Sequence, residues 1–210
     1  MPEPRLIDIS RVINESTAVW PGDTTFSRRA VMAMSAGCSC DVNTFTFSAH
    51  TGTHADSPRH FLAQGVDSAA SALDPYVGRC LVVAASDPRC VRPEDLVGID
   101  IRTEERILFR TPRALRDDEW CDDFAFLAPE AAALLAEGGA RLVGLDTPSV
   151  DPMTSKTLAA HKLLAARGVA ILESLCLDHV APGRYELFAF PLRIQGADAS
   201  PVRAVLRTLG

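Results

Sequence analysis

RLVGLDTPSVDPMTSKTLAAHKLLAARGVAILESLCL, residues 141–177, is the stretch whose reading decides the fold. Arg141 to Leu145 is a short apolar run of the kind that a buried strand shows. Ser155 to Arg167 has helix-forming composition and stops at Gly168, and Val169 to Leu177 is again apolar and of strand length. Strand, helix, strand implies a parallel βαβ unit with a right-handed crossover, and so an α/β or mixed α+β class.

Working outward, Pro129 to Glu137 reads as a helix ended by Gly138-Gly139, and Cys80 to Ala85 and Ile107 to Arg110 read as short strands. Leu6 to Ile13 alternates apolar and polar residues, and Trp20-Pro-Gly-Asp23 is a turn by its Pro-Gly pair. Asp41 to Ala49, rich in Val, Thr and Phe, predicts a strand entering a histidine-rich segment. Tyr185 to Ile194 predicts a late strand, and Pro201 to Leu209 a closing helix. No repeat, low-complexity tract or long linker divides the 210 residues, so one domain spanning 1–210 is expected.

Composition narrows the function classes. A net charge of −6 argues against gathering nucleic-acid phosphates or anionic lipid, since both need clustered cations. No run approaches the roughly 18 apolar residues of a membrane span, and MPEPRLIDISRV lacks the apolar core of a secretory signal, which points to the cytoplasm. The six cysteines, at 38, 40, 80, 90, 121 and 176, contain no CxxC pair and read as reduced thiols.

The chemistry concentrates in His50-Thr-Gly-Thr-His54-Ala-Asp56-Ser-Pro-Arg-His60, which holds three of the five histidines. Imidazole with carboxylate suits zinc, manganese or iron. Positions 50, 54, 56 and 60 differ by even numbers, so an extended chain sends all four side chains from one face. Gly52 lets the backbone bend near an ion and Pro58 stiffens the exit. His50, His54 and Asp56 supply three ligands and leave an open position, the pattern of a hydrolytic rather than a structural site. His60 is either a fourth ligand or a proton-transfer group.

Glu173 makes a second, independent case. It sits in Val-Ala-Ile-Leu-Glu-Ser-Leu-Cys-Leu, and a carboxylate in such a strand needs a cation, an arginine or a proton. His161, in the preceding helix, can be brought near it by the crossover. Asp146 and Asp151 follow a predicted strand and either line the same edge or serve as turn residues.

HTGTHADSPRHF at 50–61 resembles the HxGTHxDxPxH signature of the metal-dependent cyclase family. Trp20 to Asp23, Leu145 to Pro152 and Pro191 to Arg203 are similar to its bacterial kynurenine formamidase branch, so the resemblance spans nearly the whole chain. It implies an α/β fold with a barrel-like mixed sheet and surrounding helices. It also implies hydrolysis of N-formyl-L-kynurenine to L-kynurenine and formate in tryptophan degradation, by a homodimer with two zinc ions per subunit, or manganese. Carried over residue by residue, it makes His50, His54 and Asp56 ligands of one zinc, with Asp56 bridging to the second. His161 and Glu173 then complete the pair, His60 becomes the proton donor and acceptor, and Trp20 contacts substrate. Two rivals stand beside this reading: a cyclic-amide, isatin-type hydrolase of the same family, and a non-catalytic metal-binding protein.

Overall fold

The computed structural model describes residues 3–209. Its strands and α-helices are, in chain order, β1 (Leu6–Asp8), β2 (Ser27–Met32), β3 (Val42–Thr46), β4 (His54–Asp56), β5 (Val77–Ala84), β6 (Cys90–Val91), β7 (Arg106–Arg110), β8 (Phe126–Leu127), α1 (Pro129–Gly138), β9 (Leu142–Leu145), α2 (Ala159–Ala165), β10 (Ala170–Glu173), β11 (Gly183–Phe188), β12 (Ala199–Pro201) and β13 (Val205–Thr208). Nine strands form one mixed sheet in the order β1-β13-β11-β5-β7-β9-β10-β4-β12, curled into a half-barrel. The β2–β3 hairpin stands apart from it, and β6 pairs with β8.

The centre of the sheet is buried on both faces. Ile107, Phe109, Val143, Leu145 and Ile171 pack toward α1 and α2, while Leu108, Leu142 and Leu172, the alternate residues of the same strands, join the core on the other side. Helix α1 begins with Pro129 in its first turn and ends at Gly139 in the left-handed region, burying Ala131, Ala132 and Leu135. At Gly144 a Cβ would lie 2.6 Å from Leu108 Cδ2 and 2.8 Å from Leu175 Cδ1, so a larger residue would wedge the central strands apart.

The βαβ unit forms as expected: β9 and β10 are parallel neighbours, pairing Val143 with Ile171, with α2 between them in sequence. Two of its elements are shorter than their composition suggested. The carboxylate of Asp151 accepts from the backbone N–H of Ala160 and His161, each at 3.1 Å, and this sets where α2 starts. Strand β10 ends at Glu173 because Ser174, at φ 55°, turns the chain out of the sheet.

The closing helix expected over Pro201 to Leu209 is not formed. The segment carries the last residue of β12 and all of β13, and Val202, Ala204 and Leu206 are buried while Arg203 and Arg207 face out. That period of two is a strand pattern, and it outweighs the segment's helix-compatible composition.

What positions the site is the register around β4. This strand lies between β10 and β12, antiparallel to both, and sets His54 opposite Glu173 and Asp56 opposite Ile171. The backbone N–H of Ser57 donates to the Asp198 carbonyl at 2.9 Å, which brings the approach to β12 to the same place.

Candidate active site

A cleft of about 580 Å³ opens at this end of the sheet. His54 and Asp56 come from β4 and Glu173 from the end of β10, on one pleat face. His50 sits in the turn before β4, where Gly52 at φ 65° reverses the chain, and His161 reaches in from α2. Helix α2 is preceded by Leu158 at φ 51°. Leu158 and Ser174 are the non-glycine residues with positive φ among the described residues, and they border the elements that carry His161 and Glu173. A left-handed backbone at each costs about 1–2 kcal/mol, which the surrounding packing sustains.

Each buried imidazole is held from behind. His54 Nδ1 donates to the Gly52 carbonyl at 2.9 Å, and His161 Nδ1 donates to Asp151 Oδ2 at 2.7 Å. His50 Nε2 lies 3.4 Å from Asp198 Oδ2. A carbonyl can only accept, so Nδ1 of His54 carries a hydrogen and Nε2 is the nitrogen left to face a proton or an ion; the same holds at His161. The inward nitrogens all meet carboxylate oxygens. His50 Nδ1 and His54 Nε2 are 3.3 and 3.4 Å from Asp56 Oδ1, and His54 Nε2 is 3.3 Å from Glu173 Oε2. His161 Nε2 is 3.1 Å from Asp56 Oδ2 and 3.4 Å from Glu173 Oε1.

These separations fit a divalent cation. Nitrogen and oxygen ligands at about 2.1 and 2.0 Å on a tetrahedral ion stand about 3.4 Å apart, close to all five distances. His54 Nε2 and Asp56 Oδ1 are buried with no hydrogen-bond partner among the described residues, as atoms reserved for an ion would be. The electrostatics agree. Burial works against charging His54 and His161, yet the surrounding carboxylates raise His54 to about 10 and His161 to about 12. Burial also opposes ionisation of Asp56, but His161, His50 and His54 hold its carboxyl well below the usual range. Two buried carboxylates thus draw positive charge into the cluster, which protons or a metal can supply.

The sequence-derived residues are therefore brought together: His50, His54, Asp56, His161 and Glu173 line one centre. His60 sits beside it, on the 3-10 turn Pro58–His60, with its ring 4.4 Å from that of His50 and 6.0 Å from that of His161. Burial lowers its pKa from the ordinary histidine value. Trp20 lines the cleft, packing edge-on against Trp120 at 5.2 Å and Phe124 at 6.1 Å.

Arg203, at the end of the closing segment, does not line the cleft; it is exposed and pairs with Asp8. Arg11 does line it, but its guanidinium is committed to the Asp117 carboxylate and to the carbonyls of Leu115 at 3.1 Å and Asp146 at 2.9 Å. It ties the Trp120-bearing loop to the end of β9. Asp151 belongs to the site through His161, whereas Asp146 accepts from the Thr111 N–H at 2.9 Å and faces away from the centre. Trp120, Phe124 and Asp198 had no signal that composition or spacing could isolate, although Asp198 falls in the closing segment that carries the family resemblance.

The family described as Putative cyclase matches residues 7–152. The kynurenine formamidase of Bordetella avium (strain 197N) is 44% identical over 207 residues, covering 98% of this chain and 99% of that one. A solved structure described as a potential metal-dependent hydrolase with cyclase activity superposes with a TM-score of 0.87 at 27% identity, over 99% of this chain and 100% of that one. Isatin hydrolase A from Labrenzia aggregata has the same fold, with a TM-score of 0.82 at 24% identity over 99% and 94% of the two chains. The histidine signature, the half-barrel and these relatives agree, and the chain belongs to the cyclase family.

Proposed function

We propose that this protein is a metal-dependent amidohydrolase, an arylformamidase that hydrolyses N-formyl-L-kynurenine to L-kynurenine and formate in tryptophan degradation. The observation that carries the proposal is a centre of three imidazoles and two buried carboxylates that shares one cleft with an aromatic wall. The 44% identity to the Bordetella formamidase supports that substrate.

His50, His54, Asp56, His161 and Glu173 would hold the ions, which we read as two zincs, with manganese served by the same donors. Asp56 and Glu173 each turn one oxygen toward His54 and the other toward His161, so both carboxylates would serve a pair of ions. Divalent cations held by these residues would supply Lewis acidity to the formyl carbonyl and to the attacking water. His60 takes the proton from the attacking water and returns it to the aniline nitrogen as the C–N bond breaks, releasing the amine and formate. Asp198 Oδ2, 3.8 Å from His60 Nδ1, steadies that ring. Trp20 and Trp120 receive the substrate's aromatic ring.

We also propose that residues 1–210 act as one domain and that the protein is a cytoplasmic homodimer. Val31, Met32, Val42 and Phe45 are exposed on the β2–β3 hairpin, which stands apart from the main sheet, and a second copy would cover them. Among the described residues no helix is long and apolar enough to cross a membrane. The net charge of −6 leaves a small molecule, not nucleic acid, as the partner.

A formate-release assay on N-formylkynurenine, run beside isatin ring opening and a metal count per chain, tests the reading. Formate release should predominate in metal-replete protein, and His60→Ala should keep its metal while losing about 10²–10⁴-fold in rate. Predominant isatin opening would replace the substrate assignment. No hydrolysis of either compound would favour a binding protein.

A further inference from the structure

Behind Arg11, on the far side from the cleft, the chain leaving β10 makes a tight turn in which Leu175, Leu177 and Val180 are buried and the Val180 N–H returns to the Leu177 carbonyl at 3.0 Å. The remaining residues of that turn, Cys176, Asp178 and His179, gather three different metal-ligating groups on its outer side. Cys176 Sγ is 3.3 Å from Asp178 Oδ1 and 4.0 Å from His179 Nδ1, and His179 Nδ1 is 3.2 Å from Asp178 Oδ1. His179 Nε2 lies 3.0 Å from the Asp8 carbonyl, which can only accept, so Nε2 carries a hydrogen and Nδ1 is turned to the other two donors. The backbone of Cys176 is fixed as well, its N–H donating to the Ile9 carbonyl at 2.8 Å.

We infer that Cys176, Asp178 and His179 form a second, accessory site for a soft divalent cation such as Zn²⁺ or Cd²⁺, with one position left to water. Thiolate, imidazole and carboxylate ligands at about 2.3, 2.1 and 2.0 Å on a tetrahedral ion stand about 3.6 Å (S–N), 3.5 Å (S–O) and 3.4 Å (N–O) apart. The observed spacings differ from these by about 0.4 Å or less, so small rotamer changes close the site.

A neighbouring feature points the same way. Cys176 and Asp178 line a small cleft of about 300 Å³ with Asp117, Asp118 and Asp146 and the guanidiniums of Arg11 and Arg116. Arg11 is paired with Asp117 and Arg116 with Asp118, which leaves Asp146 and Asp178 without a guanidinium. Asp146 is 95% buried, and its Oδ1 has no hydrogen-bond partner among the described residues. An unpaired buried carboxylate oxygen favours the arrival of a cation.

The active centre contains no sulfur ligand, so the two sites are spectroscopically separable. Full-length protein, loaded with its active-site metal and freed of excess, is titrated with Cd²⁺ alone while the ultraviolet thiolate-to-cadmium band is followed. One equivalent should develop the band. It should disappear in Cys176→Ser, weaken at least tenfold in apparent affinity in His179→Ala and in Asp178→Asn, and persist in Cys38→Ser/Cys40→Ser. Absence of the band, its persistence in Cys176→Ser, or unchanged affinity in both His179→Ala and Asp178→Asn would overturn the site. Circular dichroism of each variant guards against misfolding, and the surface position of Asp178 makes Asp178→Asn the safest of them.

Discussion

On one wall of the cleft His54, Asp56 and Glu173 are carried by two neighbouring strands; on the other, Trp20 and Trp120 sit on connections without regular structure. In the first wall every inward atom has a fixed backing: a carbonyl behind His54, Asp151 behind His161, a ladder register that sets His54 against Glu173. The second wall holds together by edge-on aromatic contacts and by Arg11, which ties its loop to Leu115 and Asp146. The difference teaches where each property resides. Strand register sets His54 against Glu173 on the first wall, while loops, which tolerate change, form the side proposed to receive the substrate.

The sharpest way to break this division is at Glu173, where Gln keeps the shape and the hydrogen bond from the Val150 N–H at 2.8 Å but removes the charge. Hydrolysis should fall by about three orders of magnitude and metal content should fall with it, because one of the two buried carboxylate charges facing the imidazoles is lost. Undiminished metal binding by calorimetry would show that this wall does not depend on its carboxylate pair.

Asp151→Asn probes the backing rather than the ligands. The native carboxylate accepts from three N–H groups, whereas an amide oxygen cannot serve all three, and its NH₂ favours the His161 tautomer with hydrogen on Nε2. Metal affinity, read by competition with a chelator, should drop about 10–100-fold. Nitrogen-15 spectra of the imidazoles should report the tautomer change, which simple loosening of α2 would not produce.

On the opposite wall, Trp20→Ala should raise KM about tenfold or less with metal content intact, since an edge or stacking contact contributes about 0.5–1.5 kcal/mol beyond area. A loss of metal in that variant would mean that the walls are not independent.

The smallest effect on activity is expected at the seam between them, in Asp146→Asn. Burial, only partly offset by the Thr111 N–H and Arg11, raises Asp146 to about 6, above its unfolded value. The folded state therefore holds this proton more tightly, and stability is lost as pH rises from about 4 through 6. The variant escapes that loss. Its stability relative to the parent should grow over that interval and level off above it, by roughly 1–3 kcal/mol. Chemical denaturation at pH 4.5 and 7.5 in chelated buffer measures it; a constant difference would mean that Asp146 has no unusual proton affinity.

Much of the histidine and carboxylate wall was legible in the linear chain because its cause is local. His50, His54, Asp56 and His60 fall within eleven residues, and Glu173 announces itself as a carboxylate in an apolar strand. The βαβ unit was equally readable, since its apolar runs and glycine stop are short-range signals. The aromatic wall was not, because Trp20 and Trp120 are a hundred residues apart and meet only through loops that Arg11 draws together. The last segment misled for a related reason: its composition suits a helix, and only pairing with β11 and β1 selects the strand.

By itself, then, the sequence determined the donor types, their spacing and the need for positive charge beside Glu173, all properties of residues and their near neighbours. Tertiary structure alone decided that Glu173 stands opposite His54, that Asp151 and Asp198 brace the imidazoles, and that Cys176, Asp178 and His179 turn outward behind Arg11. Register and crossover are long-range pairings, chosen by burial of whole faces, and no local window of residues encodes them.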